Sequence, residues 1–423
     1  MSTTTKTSTT PNTSTTTDTS ATTNTFTALS APTHVFSSDP YDVIVVGSGP
    51  GGSTLARKLS QQGFKVALLD KSDFPRYKVC GGGLTQRAAK QLDIEFQSIV
   101  RDGITSMELC CKGENRFTFR KDTPFIHMVM RDEFDDLLLK AALDEGVEFF
   151  PSTRVSQVVS GESGVFVDTD RGTCRGRYLV GADGVNSTVA KQVGLMASKQ
   201  KILALEYEMK VHPDDLNRYK GKVAIDYGFI KGGYAWVFPK RDHLSVGVGL
   251  GTRDGQFLQR KLLEYLDREQ LTGEFSSQKG FFLSVGGSDP VVAKGRTALI
   301  GDAAGLVDPL MGEGIYYALR SANILASAFA QSIASNPDAP FGRYQAEIER
   351  EILSEMRLFQ RAGKLFHAAP RQFHKMFVRQ PKIVDRAFRV IAGELSFADY
   401  YERSRRHIGL RAIARLARVL QMW

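Results

Sequence analysis

The first strong pattern in the chain is Val43–Val46, a β-branched run that is apolar at every position and not at every second one. Such a run predicts a parallel strand buried on both faces. Small residues and Leu55 then open a helix, and Lys65–Leu69 is a second apolar run, so the front of the chain reads strand–helix–strand. Thr105–Cys111, Arg116–Arg120 and Phe125–Met130 predict a small set of strands. Over Arg131–Glu145, Phe134, Leu137, Leu138 and Ala141 line one face of a helix. Asp132 and Glu133 suit the positive end of its dipole, and Gly146 ends it. Val147–Phe150 and Arg154–Val159 return to strand.

The pattern then changes. Ile202–Val211, Lys222–Phe229, Tyr234–Phe238 and His243–Leu250, separated by glycine-rich turns, predict an antiparallel sheet. Along Gly233–Phe238, alternation puts Tyr234, Trp236 and Phe238 on one face, either an ordinary sheet core or the wall of an apolar channel. Arg296–Ile300 restores the parallel pattern, and from Gly314 onward the chain reads as almost wholly helical. In Arg405–Trp423, Leu410, Ile413, Leu416, Leu420 and Trp423 oppose a stripe of Arg411, Arg415 and Arg418. That helix either docks on the body with a solvated arginine face or attaches to an anionic membrane surface. Residues 1–38 are mostly Thr and Ser and cannot bury enough apolar surface to offset ordering entropy, so a disordered tail is expected over 1–40. With no apolar core and only Lys6 as a basic residue, this stretch reads as a plain tail and not as a secretory or transit signal.

Composition narrows the function classes. With 423 residues, 42% hydrophobic and 24% charged, the chain has the make-up of a globular protein of two or three domains. No apolar run is long enough to span a bilayer; Leu325–Ala334 is short and interrupted by Ser and Gln. Cys80, Cys110, Cys111 and Cys174 form no Cys-x-x-Cys pair, and no His cluster has metal spacing. A reducing, cytoplasmic setting is expected, without disulfides or metal. From Glu351 to Trp423 there are 15 Lys/Arg against 6 Asp/Glu, an excess equal to the net charge of +9 of the whole chain. The basic face therefore belongs to the C-terminal helices. No nucleic-acid recognition motif accompanies it, and no nucleic-acid partner is expected.

Candidate chemistry sits behind the strands. Gly47, Gly49 and Gly52 fall at Gly-x-Gly-x-x-Gly spacing between the first strand and its helix. Gly47 permits the tight turn, Gly49 lets backbone approach a pyrophosphate, and Gly52 lets helix pack on strand. The helix N-terminus offers free N–H groups to that anion. Asp70, ending the second strand, is placed for a ribose hydroxyl of an adenosine. With strand, helix and acid in order, the stretch predicts dinucleotide binding. Gly301-Asp302 follows another apolar strand, and Met311-Gly312-Glu313-Gly314-Ile315 opens a long helix whose dipole suits negative charge, such as that on a reduced flavin. Gly181-Ala182-Asp183-Gly184 also follows a strand and precedes Asn186-Ser187, a good helix cap.

With these motifs in this order, the sequence resembles the flavoprotein group of aromatic hydroxylases, flavin-dependent halogenases and geranylgeranyl reductases, over roughly Tyr41 to Arg320. The resemblance implies FAD on Gly47, Gly49, Gly51 and Gly52, with Asp70 at the adenosine ribose and Asp302 at the ribityl chain. It places Gly314 and Ile315 at the pyrimidine edge of the flavin, Arg131 as a cofactor contact and Val155 near adenine. Within the group, Pro75-x-x-Lys78-x-Cys80-Gly81-Gly82-Gly83 is similar to the signature of the geranylgeranyl reductases. So is Tyr234-Ala235-Trp236-Val237-Phe238-Pro239 followed by Gly247-Val248-Gly249, although halogenases carry a related aromatic strand.

Three consecutive glycines let a loop lie flat against a flavin, with Gly81 and Gly83 as contacts and the Cys80 thiol delivered beside it. A buried structural cysteine is the alternative. The resemblance also turns Tyr234 and Trp236 from core into substrate wall, because the substrate is then a long isoprenoid.

The expected fold is α/β: an FAD-binding Rossmann-like parallel sheet domain (41–103, 131–200 and 286–335), an inserted antiparallel-sheet substrate domain (104–130 and 201–285) and a helical C-terminal region (336–423). The expected reaction is reduction of isolated double bonds in a geranylgeranyl chain of a lipid, diphosphate or pigment, with Cys80 as acid or relay. No second nucleotide fold is legible, so NADPH or ferredoxin is left open as electron donor. A flavin monooxygenase or halogenase, or a prenyl-lipid-binding flavoprotein that reduces nothing, are the rival readings.

Overall fold

The computed structural model describes residues 36–195, 200–249, 252–285 and 291–405. Residues 1–35, most of the expected tail, and 406–423, nearly all of the basic amphipathic stretch, lie outside the described residues.

The strand Tyr41–Val46 lies inside an eight-stranded sheet of order Ala293–Lys294, Thr297–Leu299, Gly172–Gly181, Tyr41–Val46, Val66–Leu69 and Glu148–Phe150. From Thr297–Leu299 to Glu148–Phe150 every pairing is parallel. Val155–Gly161 and Gly164–Thr169 extend Gly172–Gly181 as an antiparallel meander. Val43, Ile44 and Val45 are fully buried, as a run without a polar face requires. The helix Arg131–Asp144 is turned relative to the expected stripe: Phe134, Leu138, Leu139 and Ala142 are buried, whereas Leu137 and Ala141 are only half-buried. The inward face also takes Asp135, which is fully buried because two arginines hold it.

The second sheet has seven strands, in the order Gly273–Val285, Gln200–Val211, Leu244–Gly249, Tyr234–Pro239, Lys222–Tyr227, Ser106–Cys111 and Glu114–Arg120. It is antiparallel except where Lys222–Tyr227 pairs with Ser106–Cys111. One face packs on the helix Gly255–Arg268: Ala235, Val237, Val246 and Val248 share a core with Leu258, Leu262 and Tyr265. Ile126–Val129, expected within this sheet, pairs instead with Gly83–Thr85 and Val100–Ile104 in a three-stranded sheet. Its register, Gly83 opposite Met128, anchors the end of the Cys80 loop. The 13-residue strand Gly273–Val285 has no counterpart in the sequence reading. It is a mostly exposed edge strand, so its polar residues carry no alternating signal.

The long helix Ile315–Ile333 returns the chain over the first sheet, and Ser354–Ala368, Pro370–Arg379, Pro381–Ile391 and Phe397–Arg405 follow. Phe388 stacks on Phe119 at 3.9 Å and meets Phe125 edge-on at 4.8 Å, which docks this helical region on the two smaller sheets. Among the described residues no helix is long and apolar enough to cross a membrane.

Candidate functional site

One cavity of about 1280 Å³ runs from the Gly47 turn to the inner face of the seven-stranded sheet and the C-terminal helices. It exceeds the range of ~300–1,000 Å³ that holds one drug-sized ligand, and so has room for a dinucleotide and a second molecule.

The first arm is polar. Gly47 has φ +100, and a Cβ there would lie 2.4 Å from the Ala182 carbonyl oxygen. A Cβ on Gly52 would lie 1.8 Å from the Gly47 carbonyl oxygen, so Gly52 closes the turn on itself as well as on Ala182. Gly51 is required by packing against the long helix, since its Cβ would meet the Ala318 carbonyl oxygen at 3.0 Å. Gly49 differs: the nearest atom to its would-be Cβ is Arg76 Nη2, at 3.8 Å. The backbone there is open to a ligand, with a guanidinium facing it.

Asp70 braces this turn. Its Oδ2 accepts from the N–H and the hydroxyl of Ser48, each at 2.8 Å, and its Oδ1 accepts from the Ser72 N–H at 2.9 Å. Asp183 accepts from the backbone of Thr188 and Val189 and from the Ser187 hydroxyl, while Ser187 caps the short helix Thr188–Gln192, as its position foretold. Val155 lines the cavity with Thr153 and Arg154.

Arg131 donates through Nε and Nη2 to both oxygens of Asp135, at 2.8 Å each, and Arg76 Nη1 lies 3.2 Å from the same carboxylate. Two guanidiniums on one buried carboxylate leave a net positive charge beside Gly49 and the N-terminus of Pro50–Gln61, the polarity an anion needs. Asp302 lies in the turn Gly301–Ala304, and Gly314 caps Ile315–Ile333 with its would-be Cβ 3.4 Å from Asp302 Oδ1. The structure thus brings Asp302 and Gly314 together. Ile315 lines the cavity while packing with Leu319 and Phe134.

The Cys80 loop stands where the polar arm meets the apolar one. Cys80 is half-buried, and its sulfur accepts from the Gly82 N–H at 3.4 Å. The Arg131 guanidinium faces the same thiol. Lys78 also lines the cavity; desolvation and the nearby Arg131 push its ammonium pKa down against the pull of Asp302. The glycines are demanded by protein as well as by any ligand. A Cβ on Gly81 would lie 2.9 Å from the Phe238 ring, and Gly82, at φ +69, would place one 2.0 Å from the Val129 carbonyl oxygen. Gly83 has only ordinary contacts and begins a strand.

The second arm is apolar. Tyr234, Trp236 and Phe238 line the cavity, and the intervening Ala235 and Val237 face the sheet core. The ring centroids of Tyr234 and Phe238 lie 5.8 and 6.2 Å from that of Trp236. Gly247 provides the seat, since a Cβ there would lie 2.1 Å from the Trp236 ring. Trp236 Nε1 is buried with no hydrogen-bond partner among the described residues, a donor that a ligand's polar group can satisfy. The Tyr234 hydroxyl donates to the Met311 carbonyl at 2.6 Å, tying the aromatic strand to the loop that opens the long helix. In that loop Asp308 accepts from Leu310 and Met311 N–H, and burial lifts its pKa to about 7.

Phe366, Phe373, Phe377 and Phe388 on the C-terminal helices form the opposite wall. Sequence reasoning did not assign them, nor Arg76. The signal available was phenylalanine recurring on basic helices, and an arginine one residue after Pro75.

Residues 40–232 match the FAD binding domain family. The chain is 30% identical to a digeranylgeranylglycerophospholipid reductase of Methanocella arvoryzae, over 74% of this chain and 84% of the relative. It is 29% identical to a geranylgeranyl diphosphate reductase of Rhodobacter capsulatus, over 78% and 86%. Among solved structures, a geranylgeranyl bacteriochlorophyll reductase-like protein of Thermoplasma acidophilum superposes with a TM-score of 0.71 at 24% identity, over 78% of this chain and 88% of that one. A flavin-dependent brominase superposes with a TM-score of 0.69 at 20% identity, over 91% and 99%. At these identities the two structures share the fold, and the sequence relatives decide the family. The chain belongs to the geranylgeranyl reductase family of FAD-dependent oxidoreductases, enzymes that act on carbon–carbon double bonds.

Proposed function

We propose that this protein reduces isolated double bonds in a geranylgeranyl chain carried by a lipid, a diphosphate or a pigment. The observation that carries this reading is the single cavity in which a dinucleotide cradle and an aromatic channel meet at Cys80. Residues of the polar arm fit FAD: Gly49 leaves backbone open, Arg76 and Arg131 offer positive charge, and Asp302 lies beside Gly314. In this reading Gly47, Gly49, Gly52 and Arg76 hold the pyrophosphate, Asp70 and Val155 the adenosine, and Asp302, Gly314 and Ile315 the flavin end.

Reduced FAD, when bound, supplies hydride to one alkene carbon. An unconjugated alkene has no carbonyl to take up charge, so a proton must reach the other carbon almost together with the hydride. In this reading Cys80 is the acid for this step or a relay to it, and Arg131, which faces the thiol, stabilises the thiolate left behind. Tyr234, Trp236 and the phenylalanines of the helical wall bind the chain and exclude water. The electron donor we infer is NADPH or ferredoxin, docking from outside this cavity.

Mass spectrometry of lipids and pigments from cells lacking or overproducing the protein tests the proposal. Mass shifts in steps of one H₂ are expected, and unchanged saturation would refute it. Oxygen consumption with substrate would support a monooxygenase or halogenase, and stoichiometric lipid binding without a saturated product would support a carrier. The excess positive charge after Glu351 further supports peripheral contact with an anionic membrane. Deleting 406–423 should then release the folded protein from anionic vesicles; undiminished binding would sink that contact.

A further inference from the structure

Four ionisable side chains that the proposed reaction leaves unused run outward from the Cys80 loop, two of them bonded to it. Glu206 is 1% exposed, and its Oε1 accepts from the Cys80 N–H at 3.2 Å. Lys240 is 2% exposed and donates to the Gly81 carbonyl at 2.6 Å and the Val129 carbonyl at 3.0 Å. Glu208 follows two residues after Glu206 on the same strand face, with its Oε2 3.1 Å from His243 Nε2. His243 Nδ1 in turn lies 2.8 Å from Asp242, whose side chain reaches solvent.

This string ends at a second, open cavity of about 490 Å³, walled by Glu208, His243, Tyr77, Ser277, Gln278 and Lys279. Tyr77 also belongs to the wall of the main cavity. The cluster therefore reaches from the Cys80 peptide to water by a way that does not pass through the main cavity.

A clamp on the loop alone would need only Glu206 and Lys240. The second carboxylate and the imidazole add nothing to that grip, and besides the Cys80 N–H only the Ser245 hydroxyl is offered to the Glu206 carboxyl as a hydrogen-bond donor. A buried carboxylate with so few donors is costly unless it carries a proton or exchanges one.

The charges around it fit that use. Burial, followed by the neighbouring Glu208, lifts Glu206 to about 7, against the pull of Lys240 and the Cys80 N–H. Burial lowers the His243 pKa, but hydrogen bonds to Glu208 and Asp242 outweigh it and the net shift is upward. The remaining groups facing the cluster are Ser245 on the neighbouring strand, Lys279 opposite Glu206 across the sheet, Tyr77, and Arg101 facing Lys240.

We propose that Glu206, Glu208 and His243 form a proton-supply line from the second cavity to Cys80, with Lys240 holding the loop at the line's inner end. The proposal rests on the reductase reading. Once cofactor and isoprenoid fill the main cavity, the thiol spent in one turnover must be reprotonated by another way. The S–H bond of Cys80 breaks as a C–H bond forms on the alkene, leaving a thiolate. The Glu206 carboxyl returns a proton to that sulfur and becomes a carboxylate. Glu208 and His243 then pass one proton inward from water, so each alkene takes one solvent proton and one hydride. None of the three touches substrate; they act through Cys80.

Glu206→Gln keeps an acceptor for the Cys80 N–H but carries no proton. In the FAD-loaded parent, turnover should fall as pH rises through about 7, because the donor form of Glu206 is the protonated one. Glu206→Gln should lower turnover by ~10²-fold and remove that limb while retaining FAD. His243→Gln should also be slow, and added imidazole should restore it, a rescue that a purely structural defect would not show. Independently of activity, infrared difference spectra of the parent should show a carboxyl band titrating near neutral pH that is lost in Glu206→Gln, beside the band of Asp308, which both proteins keep. A parent without that band, or variants matching the parent in rate and pH profile, would overturn the supply line alone. A parent that reduces no alkene would overturn the reductase reading and this one with it.

Discussion

Cys80 combines three things at one residue: a half-buried thiol, a backbone N–H donor on its sulfur, and an arginine beside it. A cysteine that merely packs would tolerate Cys80→Ala, because alanine removes little volume. A cysteine that delivers the proton would not. Cys80→Ala is expected to lower turnover by ~10²–10⁴-fold with FAD still bound, measured with chemically reduced enzyme and an isoprenoid substrate. Cys80→Ser keeps size and a donor but is a far weaker acid, and should retain partial activity. Turnover within a few-fold of the parent in both variants would remove Cys80 from the chemistry. The flanking glycines were legible as a flat loop, but their reasons were not. Gly81 yields to Phe238, and Gly82 yields to Val129 and Lys240, residues more than forty positions away whose approach no local pattern records.

At the scale of elements, the aromatic strand and its neighbour work as a pair. Tyr234–Pro239 supplies rings to the cavity, and Leu244–Gly249 supplies the vacant side-chain position at Gly247 on which the Trp236 indole rests. In Gly247→Ala the new methyl would fall within 2.1 Å of that ring, so the indole must swing into the channel. Turnover of a long isoprenoid should drop several-fold, a shorter chain should suffer less, and FAD content should stay the same; equal loss for both lengths would contradict the role of Trp236 as channel wall.

Period-two alternation identified which residues share a face here, but not which face meets the core. Gln200–Val211 shows the same limit more sharply. Leu205, Tyr207 and Met209 alternate with Glu206 and Glu208, a pattern that ordinarily signals one solvated face, yet both glutamates are buried. They are buried because the Cys80 loop, Lys240 and His243 cover them.

For the whole molecule, Arg87 joins regions far apart in the chain. Only 5% exposed, it is paired with Glu313 in the loop before the long helix and with Glu355 at 3.2 Å in the C-terminal helical region. Glu313 also accepts from the Thr85 hydroxyl at 2.5 Å. Arg87→Met keeps much of the volume but leaves two carboxylates facing each other in a buried site. Breaking such a pair from one side costs ~3–5 kcal/mol, and denaturant unfolding of the FAD-bound protein should register it. A loss below ~1 kcal/mol would mean that the two glutamates protonate or reach water on their own.

What the sequence determined by itself is what short-range spacing can encode. The double-buried first strand, the glycine turn with its helix, the acid ending the second strand, and the capped helix after Asp183 all follow from residues within a few positions of one another. Backbone torsions and helix ends are local matters, and Gly47 needs its positive φ in any context that keeps the turn. Tertiary structure alone decided whether a given face meets water, core or cavity, because that depends on what packs against it. The helices after Ser354 turn the aromatic strand's free face into a channel wall, Asp135 gathers Arg76 and Arg131 beside Gly49, and Glu206 becomes a buried acid only under the Cys80 loop 126 positions earlier. Desolvation and Coulomb pairing act over ångströms in space, and the order of residues along a chain does not state those distances.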